Sequence, residues 1–285
     1  MKRFRITLLS LLFAAVLFPS AANGQELPFA GGENLSYKMR YKWGVINADV
    51  AKLDFNIKEE TYNGVPCFRL VTRGATSNLA ASLVKVSYSY DSRFRTDNLV
   101  PVAFSRHQTE GSYWAKNQYD WNSAGTRLHA VVTKSTRPKR DSLFTAKSVI
   151  HDIISTIYVI RAADLDAVKK GKGLHYLAAL DCNIYDINVA YVASEEKKVP
   201  DVGMVDTDKY AMYIHMRSGG ERLDKEYSFS ISTQEDGGVT PIYLWITPDE
   251  SHVIVSFSTA IAVGRVEGRL VSASGLKAPL KKAGR

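Results

Sequence analysis

The chain has 285 residues, a formal net charge of +8, 45% hydrophobic residues and two cysteines. That is ample for a real core, in one large β-rich domain or two small ones. The basic excess is spread along the chain rather than gathered with interleaved aromatics, which argues against a nucleic-acid binder.

Residues 1–24 read as a secretory signal. Lys2, Arg3 and Arg5 precede the apolar run Ile6–Phe18, and Ala22-Asn23-Gly24 offers a small-residue cleavage site before Gln25. The run is shorter than the roughly 20 residues a bilayer needs. No later run approaches that length, so no transmembrane span is expected after cleavage. The remainder reads as a single domain, 25–273, followed by a basic tail, 274–285, expected to fray. In an oxidising compartment Cys67 and Cys182 either form a disulfide or stay as two buried thiols. A bridge would add about 4–5 kcal/mol in the chain-entropy model.

Most of the domain alternates with period two. Leu35, Tyr37, Met39 and Tyr41 form one face of a first strand, and Ala51, Leu53, Phe55 and Ile57 one face of a second. Asn63-Gly64 supplies a tight hairpin turn into Val65–Arg73. Thr76–Ala81 suits a short helical turn. Strands follow over Val84–Tyr90, Val102–Thr109, Ser112–Asn122 and Arg127–Lys134. Pro138 and the Ser/Thr residues around it make 133–142 a solvated basic loop.

Ser148–Leu165 is the long segment with helical spacing. Val149, Ile150, Ile153, Ile154, Ile157 and Ile160 fall in one stripe, with Asp152, Thr156 and Ala163 opposite and Thr145 or Ser148 available as the cap. The expected fold is therefore mainly β: a large curved antiparallel sheet or open barrel wrapped around one long amphipathic helix, 148–165. Further strands follow from Leu174, with turns at Gly219-Gly220 and Gly237-Gly238.

Near the end, Ile242–Ile246 and His252–Ser258 form a hairpin across Thr247-Pro248-Asp249-Glu250. A four-residue loop puts Ile242, Leu244, Val253 and Val255 on one face and Trp245 on the other beside Ile254. Both faces are apolar, so the pair is sandwiched or lines a cavity. With Arg161 these residues (Ile242, Leu244, Trp245, Val253 and Val255) are the candidates for a ligand groove. Arg161, at the edge of the stripe, either locks helix to sheet through a buried ion pair or anchors an anionic headgroup at a cavity mouth. Trp114, on a polar strand face, either stacks on a sugar or shields the sheet.

Catalytic signals are missing. The chain has no G-x-S-x-G, P-loop or G-x-G-x-x-G, and its six histidines show no metal-ligand spacing. His151-Asp152 is adjacent rather than convergent. No catalytic residue, metal or cofactor is therefore expected.

Three blocks, PFAGGENLSYKMRY (28–41), SVIHDIISTIYVIR (148–161) and LWITPDESHVIVSFSTAIAVGRVEGRL (244–270), resemble the DUF3108 family, an uncharacterised group of exported Gram-negative proteins. The chain departs from the family pattern after the first strand, at Asn47-Ala48-Asp49. The resemblance implies a periplasmic β-rich fold and carries no agreed activity. A further likeness to lipoprotein carriers of the LolA/LolB type is architectural. The expected function is a non-enzymatic periplasmic module binding a lipid or other hydrophobic envelope component. The alternative is a structural or protein-interaction component of the envelope with a filled core.

Overall fold

A computed structural model describes residues 26–77, 85–217, 240–261 and 263–284. The expected signal segment, the expected turn at 76–81 beyond Ser77, and the two Gly-Gly turns lie outside the described residues.

Among the described residues fifteen strands form one sheet in the order β8-β7-β6-β5-β4-β3-β2-β1-β15-β14-β13-β12-β11-β10-β9. β1 (Asn34–Trp43) and β15 (Arg265–Ser274) pair in the middle, so the two ends of the domain are stitched together. On one side β2 (Ile46–Tyr62), β3 (Val65–Thr76), β4 (Val86–Arg95), β5 (Pro101–Glu110), β6 (Tyr113–Trp121), β7 (Arg127–Lys134) and β8 (Arg137–Thr145) follow as a meander. On the other lie β14 (Ile254–Ala260), β13 (Ile242–Ile246), β12 (Gly203–Met216), β11 (Asn183–Val199) and β10 (Leu174–Leu180). The edge strand β9 (Ile150–Asp152) pairs with β10, and it is the one parallel pairing among the described residues.

The sheet curls until its two ends approach without closing. Ile150 N–H donates to the Gly125 carbonyl in the β6–β7 turn at 2.9 Å, and Trp121 Nε1–H donates to the Ile150 carbonyl at 2.7 Å.

The expected long helix is shorter and begins later. Its first residues are β9, and only Ser155–Arg161 (α1) and Leu165–Lys169 (α2) are helical. Asp152 sets the boundary, because its Oδ1 accepts from the backbone N–H of Ile154 at 2.9 Å and of Ser155 at 2.8 Å. Thr145 and Ser148 do not cap it. The break after Arg161 is fixed by Asp164, whose side chain accepts from Ala167 N–H to start α2. Nor is α1 polar on one flank: Thr156 and Asp152 are buried, and Ile157 is its one half-buried residue.

Two further expectations are corrected. Residues 137–145 form the edge strand β8 rather than a loop. Proline is tolerated there because an edge strand has one unpaired side, and the register of β7 with β8 shifts beside Pro138. The C-terminal tail is docked. Leu276 and Leu280 pack on the core, Ala278 N–H donates to Ser251 Oγ at 3.0 Å, and Ala283 N–H donates to the Met204 carbonyl at 2.8 Å.

Candidate functional site

The three sequence blocks meet at one buried ion pair. Arg161 is 1% exposed and Glu33 fully buried. Arg161 Nη1 and Nη2 donate to the two Glu33 oxygens at 2.6 and 2.8 Å, Nε donates to the His252 carbonyl at 3.0 Å, and Nη2 also reaches the Ser251 carbonyl at 2.9 Å. His252 Nδ1 lies 2.6 Å from the Arg161 carbonyl, Tyr158 OH donates to Glu33, and Tyr37 OH donates to the Ile254 carbonyl. The guanidinium stacks on Tyr158 and Phe29, 4.8 and 5.4 Å from the ring centres. Burial disfavours the charge, but Glu33 outweighs it and holds the Arg161 pKa above its ordinary value. Glu33 and these carbonyls engage all three guanidinium nitrogens. Arg161 is thus the lock between helix and sheet, the structural reading of the two.

Asp152 and His151 are likewise structural. Asp152 Oδ2 accepts from Ser92 Oγ at 2.7 Å while Oδ1 caps α1, and its carboxyl is raised by burial against those hydrogen bonds. His151 is buried, meets the Tyr176 ring edge-on at 5.9 Å, and its Nδ1 has no hydrogen-bond partner among the described residues. Burial lowers its pKa to about 4.

Inside the curl, between β1–β7 on one side and β10–β14 on the other, lies a cavity of about 420 Å³ with α1 along one wall. Its lining is mostly apolar: Leu53, Tyr88, Tyr90, Ile157, Ile242 and Phe257 face it and are only half-buried, although they belong to the inner surface of the fold. The volume falls within the roughly 300–1,000 Å³ range of small-molecule pockets.

Of the sequence candidates, Arg161, Ile242 and Leu244 line this cavity. Trp245, Val253 and Val255 do not; they are buried in the larger core cluster. Trp245 alternates with Leu244 and faces away; for the two valines the reason is a bulge. β13 pairs Leu244 with Phe257 and Trp245 with Ser256, and then Ile246 with Ile254, so one extra residue enters β14. A one-residue slip turns every side chain over, which puts Ile254 and Phe257 on the cavity side and moves both valines behind. Trp114 is half-buried on the outer face with the Lys116 ammonium 5.8 Å from its ring centre, a sheet-shielding arrangement. Cys67 and Cys182 are buried free thiols, so the bridge is not formed.

One polar wall interrupts the cavity, and it was not singled out from the sequence. Arg106 on β5 donates through Nη1 to Asp181 Oδ1 at 2.9 Å and through Nη2 to Gln108 Oε1. Lys134 on β7 donates to Asp181 Oδ2 at 3.0 Å, and Asn117 Nδ2 to Oδ1 at 3.0 Å. Burial pushes the Asp181 carboxyl up, but Arg106 and Lys134 outweigh it and hold it below its ordinary value. Asp181 and Cys182 form the two-residue turn between β10 and β11, at φ 51° and 56°. Neither is glycine, and left-handed backbone costs about 1–2 kcal/mol per residue. The ion pairs of Asp181 and the burial of Cys182, whose Sγ lies 3.5 Å from the Ala130 carbonyl, hold the turn there. A signal for this wall was present: β5 is polar on both faces, with Ser105, His107 and Thr109 alternating against Arg106, Gln108 and Glu110.

A single, incompletely closed sheet, antiparallel but for the β9 edge, around an apolar cavity defines the class: a β-barrel-like fold. The family model described as "Protein of unknown function (DUF3108)" matches residues 36–271, and the chain belongs to that family. None of the curated proteins matches it. Among solved structures it is similar to a β-barrel-like protein of the domain of unknown function DUF1849 from Brucella abortus, with 8% identity and a TM-score of 0.54 over 86% of this chain and 98% of that one. That likeness is one of fold alone.

Proposed function

We propose that the chain is an exported, non-enzymatic envelope protein whose cavity holds a lipid or another hydrophobic ligand. The observation that carries this reading is the contiguous apolar cavity of about 420 Å³ inside the curled sheet. A filled interior would favour the structural alternative. Water in such a space gains few hydrogen-bond partners, whereas an acyl chain gains contact with Leu53, Ile157 and Phe257. The charged groups along it, Arg161, Arg106 and Asp181, are tied to protein partners, which suits binding better than proton transfer. Export rests on the basic, apolar and small-residue order of 1–24.

Native mass spectrometry of the protein isolated from the periplasm tests both parts. The expected result is a chain beginning at Gln25 that carries a co-purifying lipid-sized mass, and a delipidated form that takes up the neutral probe N-phenyl-1-naphthylamine saturably. An uncleaved chain in the cytoplasm overturns the export reading; a protein that neither carries nor takes up any apolar molecule overturns the binding one.

A further inference from the structure

We propose that the cavity is selective for a single-chain amphiphile carrying a negative charge, with Arg106 and Lys134 receiving its headgroup. This deepens the cavity reading and rests on it.

Two cations and one carboxylate share this wall, so the cluster of Arg106, Lys134 and Asp181 keeps one positive charge in excess. Arg106 and Lys134 side chains are only 9% and 14% exposed, and Asp181 13%. An uncompensated charge this deep is costly, and an anion beside it recovers that cost. Hydrogen bonding shows the same imbalance. Arg106 and Lys134 supply eight N–H groups between them, against the acceptors Asp181 and Gln108. Arg106 Nε–H is buried without a hydrogen-bond partner among the described residues. Glu110, further along the same face of β5, is a buried carboxylate that acts on Tyr88 and lies outside the cavity lining, so the headgroup site is the stretch bounded by Arg106 and Lys134.

The contrast with Arg161 is instructive, because both arginines border the same space. Arg161 is charge-balanced by Glu33 and engaged through all three nitrogens, so an anion gains little there. Arg106 shares its carboxylate with a lysine. The surplus therefore sits at the β5–β7 wall, and Leu53, Ile157, Ile242 and Phe257 are left for the chain. A carboxylate or a phosphate headgroup satisfies the same chemistry.

The test compares ligands matched in chain length on the delipidated mature protein, read by displacement of N-phenyl-1-naphthylamine. Dodecanoate and dodecyl phosphate are expected to bind about tenfold or more tightly than dodecanol, the worth of one charge-assisted hydrogen bond, and dodecyltrimethylammonium weakest of all. Acetate and inorganic phosphate are expected not to displace the probe. Arg106→Gln and Lys134→Met should each bring the ratio of dodecanoate to dodecanol affinity close to one, and Arg106→Lys should restore part of the preference. If dodecanoate and dodecanol bind equally to the unaltered protein, the charge inference fails and the cavity reading stands. If neither binds, both fail. Displacement by acetate or phosphate alone would mark an anion site independent of any chain and would equally overturn the amphiphile.

Discussion

At the scale of single residues, Glu33 and Arg161 carry the largest stake, since both ends of the pair are out of water and each satisfies the other. Glu33→Gln leaves the guanidinium buried without its counter-charge, and the expected cost is about 3–5 kcal/mol, read from the urea unfolding midpoint. Adding Arg161→Met to that variant should cost much less than the sum of the two single changes, because the stranded charge is gone. A Glu33→Gln penalty below about 1 kcal/mol would contradict the arrangement. His151 gives a pH dependence with a definite sign. Its folded pKa, about 4, lies below the unfolded value of 6.5, so unfolding takes up a proton between those limits. The stability this group contributes is complete above pH 6.5 and is lost as pH falls towards 4, by on the order of 3 kcal/mol. Asp152, raised by burial, acts in the opposite direction. His151→Leu should therefore lose the part of the rise in stability between pH 4 and 6.5 that is due to His151; an unchanged curve would place that ring in water.

At the scale of elements, the strands were far more legible than the helix. The strands read from the sequence match β1 to β7, β13 and β14, because a half-buried strand writes its two faces directly into the sequence. The segment 148–165 misled because Val149, Ile150, Ile153 and Ile154 satisfy a helical stripe and also make a short apolar run, which periodicity alone does not separate from a buried strand. Tertiary partners decided: β10 recruits Ile150–Asp152, and the Asp152 carboxylate ends the strand and opens α1. The candidate hairpin was found, but its inner face was read one residue out of step, since a bulge at Val255 leaves no mark in composition. The tail was misread for another reason: its lysines suggest solvent, whereas Leu276 and Leu280 do the packing. Truncation after Ser274 is accordingly expected to lower stability by on the order of 2 kcal/mol, visible as a drop in Tm, and to leave the strand content by circular dichroism intact. A truncated chain as stable as the full one would mean the tail is not docked in solution.

At the scale of the whole molecule, the pairing of β1 with β15 joins the first and last strands and turns two meanders into one curled sheet. That join creates the interior space and brings Asp181, in the β10–β11 turn, onto Arg106 and Lys134. The curled architecture was legible from the strand pattern and the three blocks; the polar wall was not, because its members come from β5, β7 and the β10–β11 turn, and only the curl of the sheet brings them together. The measurement that bears most directly on the cavity as a binding site is a calorimetric titration of dodecanol into the delipidated protein and into Ile157→Trp. Ile157 lines the space from α1 and is half-buried, so the larger ring fills the cavity without displacing the core. One saturable site in the unaltered protein, lost in Ile157→Trp at unchanged Tm, is the predicted result; equal binding in both proteins, or binding in neither, would contradict it.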